Sequence, residues 1–251
     1  MNEEIVQILL LGSSNSCLAL FENNELIKVK KVSSNQESLE KLKLSLLNIK
    51  CLIVSVRPDL NFLFEGEKNF YFFDKNLAAE KFGLFGLYPE MGADRICNLI
   101  GAIKTCSGKS VGVFDLGTCN TWSLLNYELQ SKNYQLKESF IIPGITTSFK
   151  SLKQFTSSLS LVNEWEFIEY CLTPKNKKSM RAAICEGQLY LLQSLIHSFE
   201  KALEEYNGQL IITGGWSKLF EGNYFKLKPK TLLKIEPNLT IWGAYFYLKA
   251  L

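Results

Sequence analysis

The six residues LGSSNS at 11–16 return as LGTCNT at 116–121, at a constant offset of 105, with Leu, Gly and Asn repeated outright and Ser exchanged for Thr. Each copy comes after an apolar run, VQILL before the first and SVGVF with Asp115 before the second, and each runs on into apolar residues. Glycine followed by small hydroxyl residues between two strands makes a tight hairpin. Residues 5–32 read as three short strands, IVQILLL, SCLALFE and ELIKVKKV, parted by GSSN and ENN, and the pattern recurs as SVGVFDL, TWSLLNYEL and a third strand near SFIIP. A chain that writes a three-strand opening twice is constrained to a duplicated fold.

The remainder of each half fits a duplication. After the first opening come a polar helix (NQESLEKLKLSLL), a buried strand (CLIVSV) ended by Arg57-Pro58, the apolar block NFYFF and a helix in DRICNLIGAIKTC, before SGK at 107–109 breaks the pattern. After the second come helices at 145–159 and 179–206, the strand QLIIT running into Gly214-Gly215, and a C-terminal helix in LTIWGAYFYLKAL. The expected class is α/β, with domains at 1–108 and 109–251, each a mixed sheet with helices.

Composition narrows the chemistry. A net charge of +3, with lysines scattered and no basic stripe carrying aromatics, argues against nucleic acid. The opening MNEEIVQILLLG is too short to span a bilayer and starts with acids, so a cytoplasmic protein is expected, without a membrane. Seven cysteines with no CxxC pair indicate neither a disulfide framework nor a zinc site, and mostly buried thiols are expected. A lone histidine, His197 on a helix face, removes triads and His-rich metal sites.

The hairpins point elsewhere. Their backbone N–H groups and hydroxyls form concavities suited to anions, and a facing pair can grip successive phosphates of one nucleotide; hairpins without a ligand are the alternative. Asp115, closing an apolar strand, needs either a cation or hydrogen bonds from its own turn. In YPEMGADRICNLIGA, Gly92-Ala93-Asp94-Arg95 opens a helix. There Asp94 suits an N-cap or a general base, and Arg95 a fork for carboxylate or phosphate. The glycines of LIITGGW let backbone approach a flat ligand, while IIPG makes a turn before a helix.

Taken in order, LGSSN, GADRICN, DLGTCNT, IIPG, TGG and EPNLTIWG resemble the successive signatures of type III pantothenate kinases over nearly the whole chain. The resemblance implies two actin-like, ribonuclease-H-like domains and transfer of the γ-phosphoryl group of ATP to the 4′-hydroxyl of pantothenate, the first step of coenzyme A synthesis. It implies ATP contacts at Leu10, Leu11, Gly12, Ser13, Ser14, Asn15, Ser16 and Cys17, and at Thr118, Gly214 and Gly215. It assigns pantothenate to Gly92, Ala93, Asp94 and Arg95, with Asp94 as base, and to Tyr88, Ser179 and Met180. Asp115 would hold an activating K⁺ or NH₄⁺, Mg²⁺ would accompany ATP, and a homodimer would complete the substrate pocket.

The chain also departs from the family pattern. Leu10 and Ser13 replace the Asp and Asn of the first loop, Ser123 stands where the second loop carries an acid, and Met180 stands where a Thr touches substrate. The LYPxxGxDR spacing is similar to that of cyanobacterial members, which also lack the first-loop Asp. A catalytically silent relative would tolerate these changes, and an actin-like ATPase switch is the other rival. Retention of Asp94, Arg95, Asp115 and Thr118 argues for a working kinase.

Overall fold

The computed structural model describes residues 5–46, 49–173, 178–221 and 230–251, so the acidic opening at 1–4 lies outside the described residues. The chain divides into two compact units, Met1–Thr105 together with Leu239–Leu251, and Cys106–Asn238.

In the first unit β1 (Ile5–Leu11), β2 (Asn15–Glu22) and β3 (Glu25–Ser33) form the expected meander, and β4 (Cys51–Ser55) and β5 (Phe70–Phe72) extend the sheet on the other side of β1. The order is β3-β2-β1-β4-β5, antiparallel in the meander and parallel from β1 to β4 to β5. Central β1 is buried from Val6 to Leu9, as a strand covered on both faces must be. Edge strand β3 is largely exposed and carries Lys28, Lys30 and Lys31, charges that discourage another strand from pairing there. One face packs Leu9, Leu11 and Ile53 on Leu39, Leu42 and Leu46 of α1 (Gln36–Leu46). Two further helices, α2 (Lys75–Lys81) and α3 (Ala93–Thr105), come next, separated by the two-residue strand β6 (Leu84–Phe85).

The second unit repeats this plan. Strands β7 (Val111–Leu116), β8 (Cys119–Glu128) and β9 (Asn133–Pro143) form the meander, with β10 (Gln209–Thr213) and β11 (Leu232–Ile235) parallel beyond β7. Their order, β9-β8-β7-β10-β11, is that of the first sheet. Helices α4 (Ile145–Phe155), α5 (Glu164–Leu172) and α6 (Met180–Glu205) occupy the place taken in the first unit by α1 alone. Phe114, Leu116, Trp122 and Ile212 pack against Phe149, Phe167 and Phe199 of those helices. The Trp122 ring stacks on Phe199 with centroids 4.0 Å apart. His197 is exposed on α6, the helix-face position expected from its surroundings.

Two helices lie beyond the sequence reading. In α2, seven residues are too few to show a period, but the Asp74 carboxylate caps it, accepting from Asn76 and Leu77 N–H at 2.8 and 3.0 Å. In α5, Asn163 and Glu166 form a capping box that is legible as N-x-x-E before WEFIEYCL.

The C-terminal helix α7 (Leu239–Lys249), which sequence order assigns to the second domain, packs with the first unit. It is apolar nearly all round, so it needs cover on every side. Phe21 of β2 stacks on Tyr245 at 4.1 Å, a pairing worth about 0.5–1.5 kcal/mol beyond its buried area. On another side α7 meets α3 at Gly243, where a Cβ would stand 1.7 Å from the Cys97 carbonyl oxygen. Only glycine admits that approach. Gly243→Ala should therefore lower the melting temperature by several degrees, because overpacking costs about 1–3 kcal/mol and about 1 kcal/mol moves the midpoint by roughly 2–4 °C in a chain of this size. Thermal denaturation checks this, and an unchanged midpoint would contradict the contact.

Candidate active site

The two phosphate-type hairpins can be compared residue by residue through their ladders. In the first, Leu10 of β1 lies opposite Cys17 of β2 and beside Val54 of β4. In the second, Asp115 of β7 lies opposite Thr121 of β8 and beside Thr213 of β10. Leu10 and Asp115 are thus equivalent at the offset of 105, but across the turn Cys17 takes the place of Thr121, an offset of 104. The first hairpin is one residue longer. The letter-for-letter match holds only up to the turn: Asn15 is exposed, as Cys119 is, whereas Asn120 is buried, as Ser16 is.

Residues facing each other across a ladder share a face of the sheet. Asp115, Thr121 and Thr213 therefore form one polar row in the second unit. Thr213 is fully buried, and its hydroxyl has no hydrogen-bond partner among the described residues. Asp115 Oδ1 fills the space beside Gly214, where a Cβ would come within 2.3 Å, and Gly214 itself has φ +90°. That position accepts no other residue without moving the carboxylate. Ser123 is buried one pair further along β8 on the same face. The matching row in the first unit, Leu10, Cys17 and Val54, has no oxygen side chain.

The second loop is fastened by the stretch IIPG. Gly144 N–H donates to the Thr118 carbonyl at 3.0 Å, and the Thr147 hydroxyl donates to the same oxygen at 2.6 Å. Thr118 and Gly215 are exposed, as ligand contacts would require. The first loop is braced differently. Ser34 Oγ donates to the Gly12 carbonyl at 3.1 Å and lies 2.9 Å from Ser16 Oγ. Of the expected ATP contacts, Ser13, Ser14 and Asn15 are exposed and Gly12, Leu10 and Cys17 half-buried, while Leu11 and Ser16 are buried. Asn120 is buried with neither amide atom hydrogen bonded among the described residues, and nothing in the structure explains it.

The substrate-type residues of the first unit gather at the start of α3. Asp94 stands inside the first turn, and its Oδ1 accepts from the Arg95 N–H at 2.8 Å. The same oxygen covers Gly92, where a Cβ would lie 2.5 Å away. Arg95 is buried; its Nη1 donates to the Tyr88 hydroxyl, and its guanidinium carbon lies 5.8 Å from the Tyr88 ring centroid. Tyr88, a loose match in sequence, is thus joined to the motif directly. Ala93 is buried behind it. Burial raises the Asp94 carboxyl above its ordinary 3.8, outweighing the Arg95 N–H and the Arg95 charge, which act to lower it.

Ser179 and Met180 lie in the second unit. Ser179 caps α6, accepting from the Ala182 N–H at 3.2 Å, and Met180 is exposed beside it. Ser179 also lines a cavity of about 220 Å³ with Glu166, Tyr170, Arg181 and Cys185, where Arg181 pairs with Glu166.

Comparison with known proteins decides the family. Residues 9–198 match the family model described as type III pantothenate kinase. The chain belongs to the type III pantothenate kinase family. A type III pantothenate kinase of Christiangramia forsetii is 27% identical over 240 residues, covering 92% of each chain. Among solved structures, glucokinase from Balamuthia mandrillaris in complex with glucose is similar with a TM-score of 0.52 at 11% identity, covering 98% of this chain and 94% of that one. MreB5 of Spiroplasma citri bound to ADP is similar with a TM-score of 0.50 at 10% identity, covering 98% and 96%. These likenesses show the duplicated actin-like fold. As a type III pantothenate kinase the chain is an ATP-dependent kinase whose acceptor is pantothenate; nothing favours the silent-relative alternative.

The raised Asp94 pKa fixes a sign for stability. Below pH 3.8 the carboxyl is protonated folded and unfolded alike. Above it the unfolded chain releases a proton that the fold retains, so stability falls as pH rises through the folded value and the penalty persists at neutral pH. Asp94→Asn should raise the melting temperature at pH 7 and lose that advantage on acidification below 3.8. A variant less stable at pH 7 would contradict the burial argument.

Proposed function

We propose that Asp94 is the general base of this kinase, that Arg95 with Tyr88 anchors the pantothenate carboxylate, and that the row around Asp115 holds the monovalent cation. The observation that carries the reading is the carboxylate inside the first turn of α3, raised by burial, with a buried guanidinium as the next residue. A carboxylate with a raised pKa is a better proton acceptor for an alcohol. It takes the 4′-hydroxyl proton as that oxygen bonds to the γ-phosphorus. The bond from γ-phosphorus to the bridging oxygen breaks, and ADP leaves. Phosphoryl transfer otherwise requires positioning and charge stabilisation, so the lone histidine is no obstacle.

The donors around Asp115 fit a hard monovalent cation. A carboxylate, the buried Thr213 hydroxyl without a partner among the described residues, and Thr121 form an all-oxygen set. Bound there, K⁺ or NH₄⁺ would supply positive charge near the phosphates. The corresponding row at Leu10 is apolar and does not fit an ion, so Mg²⁺ would be held by ATP and water. Thr118, Gly214, Gly215 and the exposed residues of the first loop would contact the nucleotide, Ser179 and Met180 the substrate. Domains at 1–108 and 109–251 remain our reading of the functional halves, with α7 belonging structurally to the first unit.

We also propose a homodimer. Along α4, α5 and α6, Phe155 and Trp165 are 80% and 79% exposed, with Tyr190 and Leu191 beside a groove lined by Phe149 and Ile184. A second copy would cover this apolar surface. No helix among the described residues is long and apolar enough to cross a membrane, and use of ATP agrees with a cytoplasmic location.

A coupled assay of ADP release with ATP, Mg²⁺ and K⁺ tests the assignment. ADP should form only with pantothenate, and Asp94→Asn should lose about 10²–10⁴ in kcat. The acid limb of kcat/KM should fall above pH 3.8. A variant that kept its turnover would remove Asp94 from the base role. For the cation, Na⁺ should replace K⁺ poorly in the wild type, whereas Asp115→Asn should lose the distinction; full activity in Na⁺ would remove that assignment.

A further inference from the structure

The stretch between α2 and α3 carries the substrate residues on an exposed tip. Phe85, Gly86, Pro89 and Glu90 are exposed, Tyr88 is half-buried, and Met91 is buried as an anchor. Within the tip the Met91 N–H donates to the Tyr88 carbonyl at 3.0 Å, closing a turn. A further tie comes from α2. Lys75, the first residue of α2, sends its ammonium to the Pro89 carbonyl at 2.8 Å and to the Met91 carbonyl at 3.2 Å.

The placement of that lysine is unusual on physical grounds. A cation in the first turn of a helix opposes the helix dipole, so the position by itself disfavours Lys. Its ammonium forms no ion pair among the described residues; both partners are backbone carbonyls of the tip. Asp74 fixes where Lys75 starts, because its carboxylate caps α2 and its N–H donates to the Tyr247 hydroxyl at 3.3 Å on the apolar helix α7. The lysine thus joins a fixed point of the first unit to the turn that carries Tyr88, and Tyr88 meets Arg95.

We propose that Lys75 is a positioning residue for the acceptor: by holding the carbonyls of Pro89 and Met91 it sets the turn that places Tyr88 against Arg95, and so sets affinity for pantothenate. This rests on the assignment of Tyr88 and Gly92–Arg95 to pantothenate. Charge-assisted hydrogen bonds hold geometry more strongly than neutral ones, and a side chain on a four-carbon stem can act from outside the turn. Lys75 touches no reacting atom, so it should act on binding of the acceptor and leave ATP binding and turnover alone.

The experiment compares Lys75→Met, Lys75→Gln, Lys75→Arg and Arg95→Ala in the full-length enzyme, by steady-state kinetics and by calorimetric titration with pantothenate. Met and Gln at 75 should each raise the pantothenate KM and Kd about fivefold, in keeping with loss of charge-assisted hydrogen bonds at a partly exposed site. The ATP KM and kcat should stay within about twofold, the melting temperature within about 2 °C, and Arg should restore affinity. Arg95→Ala must weaken pantothenate binding if the site is assigned correctly. If it does so while both neutral Lys75 variants bind normally, the positioning role is wrong and the site stands. Should Arg95→Ala bind normally as well, the site assignment fails and takes this proposal with it. A Lys75 variant that loses stability and kcat together, with pantothenate affinity intact, would show that the lysine only supports the fold.

Discussion

A β-ladder leaves no choice about which face a residue takes, and the site in the second unit depends on that constraint. Strand β7 is paired on both sides, antiparallel to β8 and parallel to β10, so the register of two ladders sets the neighbours of Asp115 together. A slip of one residue in either would turn Thr121 or Thr213 to the opposite face, where Phe114, Leu116 and Trp122 pack against the helices. Burial on that opposite face penalises such a slip, so the apolar core holds the polar row in register. Gly214 completes the arrangement because the strand carrying Thr213 must turn over the Asp115 carboxylate, and any side chain there would displace it.

Much of this is legible without coordinates. The meanders, the buried strands CLIVSV and QLIIT and the long helix α6 come from periodicity, and the duplicated topology from the recurrence of the three-strand opening. What the pattern does not carry is pairing. The repeated phrase matches at one offset throughout, yet the hairpins differ by one residue across the turn, because their lengths are set by backbone closure and not by the letters in them. Thr213 looks like the last residue of an apolar strand and becomes a candidate ligand only through its parallel neighbour. The turn IIPG reads as a turn before a helix; its hydrogen bonds to the Thr118 carbonyl make it the fastening of the second loop. The packing of α7 with the first unit, out of chain order, is hidden from the pattern for a related reason. A helix apolar on all sides must be covered, but composition does not say by which unit, and the answer lies in a backbone contact at Gly243.

The first loop is where chain and family diverge, and the physics of burial gives the divergence a direction. The row of Leu10, Cys17 and Val54 is half-buried to buried, and burial raises the Cys17 thiol despite the nearby charge of Lys31. A carboxylate in such surroundings is costly unless a cation or several donors compensate it. Leu at residue 10 avoids that cost. Loop shape needs no carboxylate there, since Ser34 holds the Gly12 carbonyl and meets Ser16 without involving residue 10. The first hairpin is therefore built to offer exposed backbone and hydroxyl groups at Ser13, Ser14 and Asn15, with no charge of its own, while the side-chain charge of the two hairpins lies at Asp115 in the second. Under the proposed assignment, neutralising phosphate charge falls to a cation held at Asp115 and to the ions that ATP brings with it, because the first hairpin supplies no charge for that task.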